Sequence, residues 1–166
     1  MKTRLFLAVC IFLTACINVD NFGVYWKKGI IDSRLKGGWV QPKTGDCIEF
    51  LPEGDSYHFL SSNDGKEVAR TLMVGNHYFL MIKKDGMQGG RMVRYDINGD
   101  GFLMYNFDAS KKNEFQEKYA NSNIILTDRV TIKQLDESAI QIIEKIADDQ
   151  SYWTFGSAYQ SKSCNP

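Results

Sequence analysis

Proline is scarce, at three residues in 166, and histidine scarcer, at two. So few prolines exclude collagen-like and proline-rich low-complexity sequence. Two histidines, His58 and His77, fall short of a zinc site unless cysteines help, and no Cys-x-x-Cys or His-Glu-x-x-His pattern is present. Both flank aromatics, Tyr57/Phe59 and Tyr78/Phe79, and read as strand-edge residues. Net charge is also lacking: 20 basic and 20 acidic residues cancel. Zero net charge argues against a nucleic-acid binder whose affinity comes from a basic surface. No apolar run reaches the 18 or so residues of a spanning helix. Neither a phosphate-binding glycine loop nor a G-x-S-x-G elbow occurs, and no carboxylate pair can be set across a cleft. The sequence therefore carries no catalytic signature and calls for no cofactor or metal.

What is present is apolar and aromatic. The chain is 43% hydrophobic and 13% aromatic, with ten Phe, eight Tyr and three Trp. That is enough for one folded domain and too much for a disordered chain. The aromatics read first as the core of a small β domain, and second as the lining of a cavity for an apolar ligand.

The N-terminus carries an address. Lys2 and Arg4 precede the apolar run Leu5 to Leu13, and small residues follow. Nine apolar residues at about 1.5 Å each cover only about half of a ~30 Å hydrocarbon core, so this is a secretory leader rather than a spanning helix. Leu13-Thr14-Ala15-Cys16 then resembles the lipobox of bacterial lipoproteins. The resemblance implies cleavage before Cys16 and diacylation of its sulfur. Several acyl chains on one residue give stable membrane anchoring, where one chain does not. Ile17 stands where an Asp would resemble an inner-membrane retention signal, so the resemblance implies the periplasmic face of an outer membrane in a diderm source. The expected layout is a signal peptide over 1–15, a lipidated N-terminus and tether over 16–34, and one β-rich domain over 35–166. The tether contains Phe22, Val24, Tyr25 and Trp26, and such a segment is expected to pack on the domain or at a headgroup layer.

Four cysteines are few enough to assign. Cys10 leaves with the leader and Cys16 takes lipid, which leaves Cys47 and Cys164. In an oxidising compartment these two are expected to pair; the alternative is two buried thiols.

From residue 37 the pattern is of short strands and turns: 38–40, 47–51, 56–61, 68–74, 77–82, 91–97 and 102–107. Val93, Tyr95 and Ile97 of the last hairpin alternate on one face, as do Leu103, Tyr105 and Phe107. A helix is expected over 109–120, a strand over 123–132, an amphipathic helix over 135–147 and a short strand over 151–155. The fold class is α+β and strand-dominated: an antiparallel meander curled into a partial or closed barrel, with one or two helices packed against it. Asp96-Ile97-Asn98-Gly99-Asp100-Gly101 copies the first half of a calcium loop, but positions 9 and 12 are Met104 and Phe107. A hairpin turn is the simpler reading.

Gly37-Gly38-Trp39 resembles the G-x-W that opens the first strand of lipocalins. Bacterial lipocalins are themselves lipoproteins, which fits the leader. The second lipocalin motif, a T-D-Y-like turn, has only Thr127-Asp128 followed by Arg129. The resemblance implies a curled sheet whose Trp packs across the barrel floor. Taken together, the sequence reads as a lipid-anchored cell-envelope protein that binds rather than catalyses. Its partners would be the membrane and either an envelope protein or a small ligand. The alternatives are a lipocalin-like carrier of a small apolar ligand and a hydrolase of envelope material.

Overall fold

The computed structural model describes residues 16–61, 65–119, 123–126 and 130–164. The leader and the Thr127-Asp128-Arg129 motif lie outside these residues. Strand β1 (Ile17–Val19) and helix α1 (Val24–Lys28) come first. A meander follows: β2 (Gly37–Val40), β3 (Cys47–Glu53), β4 (Ser56–Ser61), β5 (Gly65–Val74), β6 (His77–Lys84), β7 (Gly90–Asn98) and β8 (Gly101–Phe107). Next come α2 (Lys112–Tyr119), β9 (Ile124–Leu126), β10 (Val130–Ile132) and α3 (Glu137–Asp148). Strand β11 (Trp153–Ser161) is the last element.

The sheet closes on itself. Each of β2 to β8 pairs antiparallel with its successor, and β11 pairs antiparallel with both β8 and β2. The result is an eight-stranded antiparallel barrel, closed rather than partial. At this strand number the interior is just wide enough for side chains, or for side chains and one small ligand. Alternation sends Ile48 and Phe50 of β3, Tyr57 and Phe59 of β4, Leu80 and Ile82 of β6, and Val93 and Tyr95 of β7 inward. The odd partners point out: Phe79 and Met81 of β6, Met92 of β7, Phe107 of β8 and Trp153 of β11.

Those outward residues form a second core, covered by the elements outside the meander. Helix α3 lays Ala139, Ile142, Ile143, Ile146 and Ala147 on it. Its N-terminus is capped by Asp136, whose Oδ1 accepts from the Ala139 amide at 2.8 Å. At its C-terminus the Trp153 indole donates to the Ile146 carbonyl (2.6 Å) and Arg94 to the Ala147 carbonyl (3.1 Å). The barrel wall thus supplies donors to carbonyls that a helix end leaves unpaired. Phe115 of α2 packs 5.4 Å from Phe107 and is buried.

Three local expectations change. The stretch 123–132 is not one strand but the antiparallel pair β9 and β10, in register from Val130↔Leu126 to Ile132↔Ile124. The strand expected over 151–155 starts at Trp153 and runs through Ser161; a register shift between Phe155 and Ser157 moves Tyr159 to the interior while Trp153 faces the outer core. The segment after Cys16 carries structure: Ile17 and Val19 are buried, and β1 lies antiparallel to β7 and parallel to β10. Strand β1 takes the edge of β7 at Gly90–Met92, where β8 has already left it. Room for that approach depends on Gly89, where a Cβ would stand 2.2 Å from the Asp20 carbonyl oxygen.

Candidate functional site

The interior of the barrel is the candidate site, and it differs at its two ends. One end has a floor. The chain leaves α1, bridges β5 at Ile30↔Thr71, and turns through Asp32–Leu35 before entering β2. Leu35 is fully buried among the interior residues, and the Trp39 indole donates to its carbonyl at 2.7 Å. Trp39 lies 5.5 Å from Phe102 of β8, on the far side of β11. The Gly37-Gly38-Trp39 tryptophan therefore packs at the floor.

Polar groups hold this floor in place. Asp32 is 7% exposed. Its carboxylate accepts from Arg34 (Nη2 to Oδ2, 2.6 Å) and from the Tyr95 hydroxyl (2.9 Å). Tyr95 also meets Thr71 Oγ1 at 2.8 Å, and Tyr57 donates to the Asp32 carbonyl at 3.0 Å. Arg34 lies 4.3 Å over the Tyr78 ring. Burial works to raise the Asp32 carboxyl, but the hydrogen bonds from Arg34 and Tyr95 together outweigh it and hold the group below the usual carboxylate range. Burial raises Tyr95 and Tyr57, and pushes Tyr159 up to about 12.

Above the floor the interior is a stack of rings. Phe102 stands within 5.9 Å of Trp39, Phe50, Tyr95 and Tyr159. Phe50 in turn contacts Phe59 at 5.3 Å. The opposite end, where the 41–46 and 85–89 connections lie, is built differently. Glu67 of β5 is 5% exposed and pairs with Arg91 of β7 (Nη2 to Oε2, 2.7 Å; Nη1 to Oε1, 3.3 Å). Arg91 is one quarter exposed, so this fork-shaped pair reaches the solvent at the mouth. Ile82 and Val93 sit beside it on the interior face.

The residues singled out in the sequence fall elsewhere. Cys16 is partly buried at the head of β1 and packs against the interior cluster. Cys47 and Cys164 form a disulfide, with Cα atoms 5.8 Å apart, which fastens the segment after β11 to the start of β3. His58 contacts Glu53, and His77 lies 3.0 Å from Asp148. The Asp96–Gly101 segment is the turn of the β7–β8 hairpin, where Gly99 adopts φ +60°. Asp96 is engaged by the Tyr105 hydroxyl, and Phe107 is buried in the outer core. Among the described residues no group of three or more His, Cys, Asp or Glu is arranged to hold a metal ion, and no helix is long and apolar enough to cross a membrane.

Sequence reasoning missed Asp32, Glu67, Arg70, Arg91 and Arg94. Each is a charge on or beside a strand that the pleat turns toward apolar neighbours. A single charge in a strand pattern does not announce which face it occupies.

No protein-family model, curated protein or solved structure matches this chain. The described residues form a closed, lipocalin-like barrel with one floored end, consistent with a small-ligand-binding module.

Proposed function

We propose that the protein is a lipid-anchored envelope protein whose barrel carries a small, largely apolar ligand at its mouth. One observation supports this most: the closed barrel is sealed at one end by Leu35 and Trp39 and lined along its length with apolar and aromatic side chains. An apolar barrel interior floored at one end suits a carrier. The floored end fixes the depth of entry. The Glu67–Arg91 pair at the rim supplies a polar handle for the ligand's wet end, and Ile82, Val93 and Phe59 supply the apolar wall. On the lipobox reading, acyl chains on Cys16 hold the barrel at the bilayer, which in a diderm source is the periplasmic face of the outer membrane.

The test is native mass spectrometry of protein extracted gently from membranes, with titration by a fluorescent apolar probe. One bound molecule per chain is expected. Val93→Trp, which fills the upper layer, is expected to weaken probe binding tenfold or more, on the order of what a lost apolar pocket contributes. A protein that extracts empty and binds no probe, or one in which Val93→Trp changes nothing, overturns the carrier reading. The anchor is tested separately, by the intact mass of the membrane form: an acyl mass on Cys16 is expected, and a chain that keeps Met1 with no added mass refutes it.

A further inference from the structure

We infer that the face formed by α1 and the β6–β7 connection docks directly on an anionic phospholipid surface. This extends the anchor reading, and its test does not depend on acylation.

Helix α1, Val-Tyr-Trp-Lys-Lys, has no buried residue. Val24 is 63% exposed, Ile30 55% and Met87 59%. These are three of the chain's most exposed large apolar side chains, and they belong to neighbouring segments. The Phe22 amide donates to the Gln88 carbonyl at 3.0 Å, and Lys83 Nζ reaches the Met87 carbonyl at 2.7 Å. Lys83 also lies 4.6 Å over the Trp26 ring, so α1 and the β6–β7 connection form one continuous surface.

Its solvent-reaching cations are Lys27, Lys28 and the half-buried Lys83. Arg70, 5.6 Å from Trp26, is buried and neutralised by Asp55, and the remaining acids near the patch are Asp20 and Asp85. The patch is thus net positive on a chain whose overall charge is zero. Lysines beside exposed aliphatics suit a headgroup layer: ammonium groups meet phosphates while Val24, Ile30 and Met87 enter the interface. Tyr25 and Trp26 pack partly on the outer core and hold the helix against the barrel. Lysine is depleted at the cores of protein interfaces, which favours the lipid surface as the occupant. The patch also begins a few residues beyond Cys16, on the segment that an anchor would hold nearest the bilayer.

The experiment uses the chain from residue 16 onward with Cys16→Ser, which carries every described element and no acyl chain. It is sedimented with vesicles of phosphatidylcholine alone or of phosphatidylcholine with phosphatidylglycerol. Binding to the anionic vesicles only, reversed by salt, is expected. Lys27→Glu/Lys28→Glu is expected to weaken that binding about tenfold or more. Lys111→Glu/Lys112→Glu at the start of α2 is expected to leave it unchanged. Val24→Ser/Met87→Ser is expected to weaken it while preserving the salt response. Protein that stays in the supernatant with anionic vesicles, binds both vesicle types alike, or ignores the Lys27/Lys28 reversal overturns the inference. Circular dichroism confirms that each variant is folded. Failure here leaves the acyl mass on Cys16 untouched, and failure of the anchor leaves these vesicle results untouched.

Discussion

At the floor of the barrel, single atoms decide the arrangement. The Tyr95 hydroxyl links Asp32 and Thr71, so Tyr95→Phe deprives two buried partners at once. A loss of about 1–3 kcal/mol in urea unfolding is expected, without change in the far-ultraviolet spectrum. The pH dependence has two limbs. The Asp32 carboxyl is held low in the folded state, so its contribution is present above the unfolded value of about 4 and disappears as pH falls through the lower folded value. Tyr57, Tyr95 and Tyr159 are raised by burial. Above about pH 10 the unfolded chain loses protons that the folded chain keeps, so stability falls as pH rises. Phenolate absorbance is expected to show these three tyrosines ionising only as the barrel unfolds. A smooth titration of all tyrosines with the fold intact would contradict the packing described.

At the scale of elements, two of the contacts that attach the outer layer to the barrel can be tested singly. Gly89→Ala drives a Cβ into the backbone of Val19 and Asp20. Amide exchange is expected to accelerate across β1 first, while β3 to β5 stay protected. Arg94 is buried, lies between the rings of Tyr105 and Trp153 at 5.2 and 5.4 Å, and donates to the end of α3. Arg94→Ala is expected to free the last turn of α3, read as loss of protection near Ile146 and Ala147. These elements also mark how far the sequence could be read. The β7–β8 hairpin and α3 were legible because their periods, two and 3.6, run long enough to be unmistakable. Strand β1 is three residues long and owes its existence to an edge of β7 that β8 vacates. No local pattern in Ile17-Asn18-Val19 contains that fact. The same holds for β9 and β10, which read together as one strand because each is too short to show its own boundary.

At the scale of the whole molecule, closure was the open question, and the pairing of β11 with both β8 and β2 answers it. The β2–β11 pairing joins residues more than a hundred apart, and turn signals do not reach so far. The Cys47–Cys164 pair was legible by counting, although the candidate interior, with its Glu67–Arg91 rim, was not. The disulfide spans a sequence separation of 117. Replacing both cysteines by serine is expected to lower unfolding stability by up to about 5 kcal/mol on the loop-entropy model. The fold should be retained, since the barrel is also closed by hydrogen bonds. Guanidinium unfolding of the oxidised and double-serine forms compares the two directly.

The order of the strands along the chain has a kinetic corollary. Seven staves are made consecutively, and the eighth arrives only after residues 108–152 have been laid down. Until it does, β2 and β8 present bare backbone to any other chain, the exposure that invites mispairing. The two sulfurs, 117 residues apart in sequence, are held together by the fold only once the late stave has docked. Protection of that bond against reductant during refolding therefore reports when the ring shuts.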